Sequence, residues 1–178
     1  MHNPTRGIPL QAPPNPVEPA TGLTAETAAA ATGARRRAMR DGDRHIDTAH
    51  LLHSLIESDP EVREAFGDGP RLARVLGYLV QRSIGYGLRW QGVQERSGAL
   101  PALRDAADVW SPSAAAALAR AVRGAGLRGE PRAGGLDLLA ALVADRQCRA
   151  VEVLERAGVD AAWLAGRTAD RLTGAAPG

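Results

Sequence analysis

Residues 45–58, HIDTAHLLHSLIES, and residues 132–145, RAGGLDLLAALVAD, lie 87 positions apart and share one apolar skeleton. Leu51, Leu52 and Leu55 of the first coincide with Leu138, Leu139 and Leu142 of the second. Apolar residues at i, i+1 and i+4 form one face of an amphipathic helix, whereas a half-buried strand would alternate. Extended without a gap, Leu23–Ser58 set against Trp110–Asp145 gives ten identities in 36 pairs. Six of the ten are Ala or Arg, common in this composition, so the order of features carries more weight than the identities. Each copy shows a helix-start hydroxyl, an Ala-rich helix, a glycine stop at Gly42 or Gly129, and then the leucine helix.

Local signals place the rest. Thr24 is the expected N-cap of a first helix whose closing arginines complement the C-terminal dipole, and the DGD of residues 41–43 stops it. A second helix is expected from Asp47 or Thr48 to about Ser58. Asp59-Pro60 reads as an N-cap followed by proline at the first helical position, opening a short third helix. A fourth, after Gly69-Pro70, presents Leu72, Val75, Leu76, Leu79 and Val80 as its apolar face. Residues 85–109 mix Gly, Pro and polar residues and read as a connection. Ser111 and Pro112 then restart the pattern, Phe66 and Leu76 match Leu154 and Leu164 with one insertion, and Gly158 and Asp160 end one helix and cap the next. The expectation is an all-α fold of about eight helices: a Pro-rich, disordered tail over 1–22, repeat one over 23–84, the connection over 85–109, repeat two over 110–172, and a flexible end over 173–178.

Composition agrees. Aromatics are 3% of 178 residues, so the core must be built from Ala, Leu, Val and Ile, which suits close helix packing. All 22 basic residues are arginine, which lifts the pI to about 9.3 at a net charge of only +2 and weakens any inference from pI to nucleic acid. Cys148 is the sole cysteine, which excludes an internal disulfide and a multi-cysteine metal site. Nothing resembles a signal peptide or an 18-residue apolar span, so a cytoplasmic protein is expected.

From about Leu23 to Leu172 the chain resembles the N-terminal (Clp repeat) domain of the Clp ATPases, above all the ClpC type. Each copy of that domain opens with an aromatic-Thr phrase and later shows Tyr-Ile-Gly-Thr-Glu-His followed by Leu-Leu. Thr24 and Ser111 match the opening hydroxyl; Ile46, Thr48 and His50 match the second phrase in copy one, and Gly134 matches its glycine in copy two. The resemblance implies docking of adaptors and substrate segments, phosphoarginine recognition through the phrase's glutamates, and, in actinobacterial members, cyclic-peptide antibiotics near the opening aromatic. Here the glutamate positions are Ala49 and Leu136, so both carboxylates are lost. A phosphate loop needs its lysine, and a sequence without lysine has none. The reading is therefore a stand-alone, non-catalytic module without AAA+ modules, cofactor or metal, an accessory, decoy or antibiotic-sequestering partner of the Clp protease system. Its ligands would be peptides or proteins, held in a groove between the halves lined by Thr24, His50, Trp110, Ser111 and Asp137.

Sharper chemistries compete with this reading. His50, His53 and Glu57 fall on one helical face and could gather a zinc ion for a hydrolase, but the matching positions in copy two are Asp137, Ala140 and Ala144, so His50 reads better as part of a hydrogen-bond network at the helix start. The Arg35-Arg36-Arg37 cluster supports the alternative of a helical nucleic-acid-binding regulator, although arginines at a helix C-terminus need no such role. Tyr78, Tyr86 and Trp90 read as core cover before a ligand lid, and Cys148 as a small half-buried residue.

Overall fold

The computed structural model describes residues 21–83 and 110–174, and within them the chain is all helical. The N-terminal tail up to residue 20, the connection with Tyr86 and Trp90, and residues 175–178 lie outside the described residues. Repeat one contains α1 (Ala25–Asp41), α2 (Thr48–Ser58), α3 (Pro60–Ala65) and α4 (Gly69–Ser83). Repeat two contains α5 (Pro112–Leu127), α6 (Gly135–Ala144), α7 (Arg149–Arg156) and α8 (Ala161–Thr173). These are the eight helices expected from the sequence.

The helix starts follow from their caps. Thr24 Oγ1 accepts from the Thr27 N–H at 3.2 Å, and Ser111 Oγ accepts from the Ala114 N–H at 3.1 Å. Asp59 and Asp160 each cap two backbone amides of α3 and α8. After α1 and α5 the chain turns through Gly42 (φ 72°) and Gly129 (φ 80°), a left-handed conformation that costs glycine little. The α7 start was not legible, because Cys148 at its N-cap makes no side-chain capping bond.

α2 and α6 form the centre of the molecule. Leu51, Leu52, Leu55 and Ile56 of α2 and Leu138, Leu139 and Leu142 of α6 are completely buried, and truncating one such leucine to alanine costs about 2–5 kcal/mol. α1 covers α2, and α5 covers α6. The third helices cross over: α3 packs on α6 and α8, while α7 packs on α2 and α4. Neither repeat thus completes its core alone. Small residues permit close contact, with Ala34 and Ala38 of α1 and Ala114 of α5 fully buried. Two details depart from expectation. Val80 is exposed, so the apolar face of α4 narrows to Val75 and Leu79 with Leu72 and Leu76 at its edge. Phe66 lies just beyond α3, whereas its match Leu154 lies within α7; both are fully buried, so the matched positions share depth and not secondary structure.

Candidate functional site at the seams between repeats

The two repeats exchange backbone bonds at matched places. Leu23 bridges Ala133, with the Thr24 N–H donating to the Ala133 carbonyl at 2.9 Å and the Ala133 N–H donating to the Gly22 carbonyl at 2.8 Å. Ile46 bridges Trp110, with the Ser111 N–H donating to the Ile46 carbonyl at 2.9 Å. Because Leu23 matches Trp110 and Ile46 matches Ala133 in the 87-residue alignment, each bridge joins the start of a first helix in one repeat to the start of a second helix in the other. Pairing between distant segments leaves no local sequence signal, so neither bridge could be read beforehand.

The five residues expected to line a groove fall on these two seams. Thr24 and Asp137 belong to one, His50, Trp110 and Ser111 to the other. Ser111, His50 and Asp137 are buried, with their polar atoms directed to helix caps, while Thr24 and Trp110 are partly accessible. Asp137 accepts the Gly134 N–H at 2.9 Å and pairs with Arg128. Ala49 and Leu136, where the resembled domain carries glutamates, are buried and apolar.

His50 completes a capping box with Asp47. The Asp47 carboxylate accepts the amides of Ala49 and His50, and the Asp47 N–H donates back to His50 Nδ1 at 3.1 Å. In the neutral ring the proton must therefore sit on Nε2, which lies 3.0 Å from Asp43 Oδ2 and 3.7 Å from Asp41. The second carboxylate oxygen of the fully buried Asp47 takes Arg82 of α4 at 2.5 Å and Arg149 of α7 at 2.7 Å. Burial by itself raises the Asp47 pKa, but the His50 bond and the Arg82 and Arg149 guanidiniums outweigh it and hold the carboxyl well below its ordinary range. Burial likewise acts to lower His50, yet its bonds to Asp43 and Asp47 prevail and raise it. One carboxylate thereby ties α2, α4 and α7 together. Asp47, Arg82 and Arg149 were missed as a unit because 35 and 102 residues separate the partners.

The metal reading fails on geometry and tautomer. His53 Nε2 approaches Glu57 at 3.2 Å, but His50 turns away toward Asp43, so the His50, His53 and Glu57 set does not converge. Among the described residues the donors that do converge are Asp41, Asp43 and His50. There, the amide bond to Nδ1 leaves Nε2 protonated and without a lone pair for an ion. Of the arginine cluster, Arg37 is engaged by Ser54 at 3.2 Å and by Glu57, while Arg35 and Arg36 are exposed. Tyr78 lies against the core, and Cys148 is fully buried, deeper than expected.

Comparison with solved structures decides the fold. The N-terminal domain of the caseinolytic protease associated chaperone ClpD from Arabidopsis thaliana superposes with a TM-score of 0.62 at 21% identity, covering 85% of this chain and 95% of that one. The fold is that of a Clp N-terminal domain. A chain from a malarial protein secretion system superposes with a TM-score of 0.60 at 18% identity, covering 84% of this chain and 94% of that one. No protein-family profile matches the sequence, and no curated protein is significantly similar to it. The Clp N-domain fold is thus formed here with the buried apolar residues Ala49 and Leu136 near the starts of α2 and α6. No helix among the described residues is long and apolar enough to cross a membrane.

Proposed function

We propose that this chain is a non-catalytic docking module for peptides or short protein segments, working in the cytoplasm as an accessory or decoy of the Clp protease system. The observation that supports it most is a Clp N-domain fold covering 95% of the ClpD domain's length, with one tryptophan, Trp110, partly accessible on a seam where both repeats meet. A partly accessible indole at the start of a helix suits an apolar or cyclic peptide, whose buried area supplies affinity. Recognition of phosphoarginine through the motif's own positions is disfavoured, since a guanidinium-derived ligand needs acidic partners and Ala49 and Leu136 supply none.

Isothermal titration of the chain with cyclic peptides of the kind that bind ClpC domains, and separately with phosphoarginine, tests this reading. Binding of the cyclic peptides, lost in Trp110→Ala with an unchanged circular dichroism spectrum, is the expected result. Equal affinity of the variant, or tight phosphoarginine binding with no response to cyclic peptides, would overturn it.

A further inference from the structure

A groove of about 520 Å³ runs between α1 and α2 on the outer side of repeat one, away from the two seam bridges. Its floor is made of Ala30 and Gly33, the glycine lying so close to α2 that a Cβ would stand 3.1 Å from Ser54 Oγ, and its rim carries Arg36, Arg37 and Arg40. Ser54, Glu57 and Ser58 of α2 form the opposite wall. Arg37 is already neutralised by Glu57. Arg36 and Arg40 are exposed, stand one turn apart on the same face, and have no ion pair among the described residues. Like charges at i and i+4 repel and cost a helix a few tenths of a kcal/mol, so an anionic ligand would relieve a tension the fold leaves in place.

The matching groove of repeat two, about 400 Å³, is built differently. Gly33 is replaced there by Arg120, which reaches across to the Ala141 carbonyl at 3.3 Å, and Arg37 and Arg40 are replaced by Gly124 and Leu127. Of the Arg36, Arg37 and Arg40 row, repeat two keeps only Arg123, and its groove carries Arg120 and Arg146 instead.

We propose that the α1–α2 groove docks an acidic, extended peptide segment of a partner protein. Arg36 and Arg40 would take carboxylate side chains as charge-assisted pairs, and the half-exposed Glu57 and the serine hydroxyls would meet the peptide's main-chain amides and carbonyls. That mixed lining favours a peptide over a nucleic acid. A phosphodiester strand offers acceptors and no backbone N–H for Glu57, and the lining holds no aromatic ring on which a base could stack. The surface is separate from the Trp110 seam, so its failure would leave the reading of that seam untouched.

Fluorescence anisotropy of the full chain with a labelled Glu/Asp-rich octapeptide tests the proposal, with a 16-nucleotide thymidine strand as the second probe. The peptide should bind with an affinity that falls as salt rises, and Arg36→Ala/Arg40→Ala should raise its Kd on the order of tenfold or more at an unchanged melting temperature. Arg123→Ala, at the position matching Arg36 in repeat two, and Trp110→Ala should each leave it within about twofold. Absence of peptide binding, equal losses in the Arg123 variant, or tighter binding of the thymidine strand with the same dependence on Arg36 and Arg40 would each overturn it.

Discussion

The second helices of the two repeats, α2 and α6, occupy equivalent places and bury the same leucines, yet their N-termini solve one problem in different ways. α2 begins at Asp47, whose side chain caps two amides, receives the reciprocal bond of His50 and anchors two arginines from elsewhere in the fold. α6 begins at Gly134, which has no side chain to offer, and keeps only the reciprocal half through Asp137. The apolar skeleton is therefore what the duplication preserves, while polar connections have been free to diverge. Repeat one holds the buried charge that binds α4 and α7 to α2; repeat two supplies a partner for it.

The most severe way to break this asymmetry is Asp47→Ala. It removes a two-amide cap and the buried carboxylate that His50, Arg82 and Arg149 share, with Arg82 keeping Asp43, so unfolding in urea should show a loss of about 3–5 kcal/mol. The matched change Gly134→Ala should cost less than about 0.5 kcal/mol, since that backbone is extended (φ −89°) and a new Cβ would meet only Asp137 Oδ2 at 3.8 Å. Similar losses from the two would show that the Asp47 connections contribute nothing beyond an ordinary cap.

A second contrast lies at His53, whose match in repeat two is Ala140. Burial, reinforced by the nearby Arg37 charge, lowers the His53 pKa to about 4. A depressed value means that the unfolded chain takes up a proton at this side chain before the folded one does. Its contribution is complete above the ordinary histidine value of 6.5 and is lost as pH falls from there toward 4, amounting to up to about 3 kcal/mol. His53→Ala should flatten the fall in stability over that window. His50 has the opposite sign: its raised pKa favours the folded state at low pH, and that share fades as pH rises above the ordinary histidine range. A variant whose stability still falls as steeply as the parent's between pH 6.5 and 4 would contradict the assignment to His53.

The crossed third helices offer a finer test. Beside α3, Gly135 of α6 sits so close to the cap residue Asp59 that a Cβ would stand 1.9 Å from its Oδ2 and 3.1 Å from Val62. Gly135→Ala should therefore cost about 2 kcal/mol by overpacking. In the double variant with Asp59→Ala the two losses should sum to less than their separate values, because removing the carboxylate relieves the clash; full additivity would place the strain elsewhere.

Much of this architecture was legible because helix starts announce themselves locally. Thr24, Asp59, Ser111 and Asp160 all act as the caps their sequence neighbours suggested, and the leucine skeleton fixed the repeat. His50 was readable as a network partner since its donor, the Asp47 N–H, lies three residues away. What stayed hidden depends on tertiary proximity. The seam bridges, the arginines on Asp47 and the openness of the α1–α2 groove arise from segments brought together by the fold, and Val80 is exposed because no helix among the described residues covers that side of α4. The candidate lining residues showed the same limit: the pattern placed all five at helix starts, but only the folded chain directs Ser111, His50 and Asp137 inward to caps and leaves Thr24 and Trp110 partly open.

The smallest expected effect concerns the least legible helix. α7 begins at Cys148 without a side-chain cap, and its Ala150 N–H is instead accepted by Thr48 Oγ1 of the other repeat at 3.0 Å. A cap supplied across the molecule does what Asp59 does locally for α3, and it couples α7 to the start of α2. Thr48→Val keeps the side chain's shape and removes the oxygen, leaving a buried amide unpaired at a cost of about 1 kcal/mol. Hydrogen exchange should locate that loss at Ala150 and its neighbours in α7, leaving the α3 amides unchanged. Cys148→Ser introduces a hydroxyl at the N-cap, so in the Thr48→Val background it should recover protection at Ala150 by offering locally the acceptor now reached from α2. If Thr48→Val leaves exchange at Ala150 as slow as before, the cross-repeat bond is not what holds that amide, and α7 must be secured by its packing on α2, α4, α6 and α8.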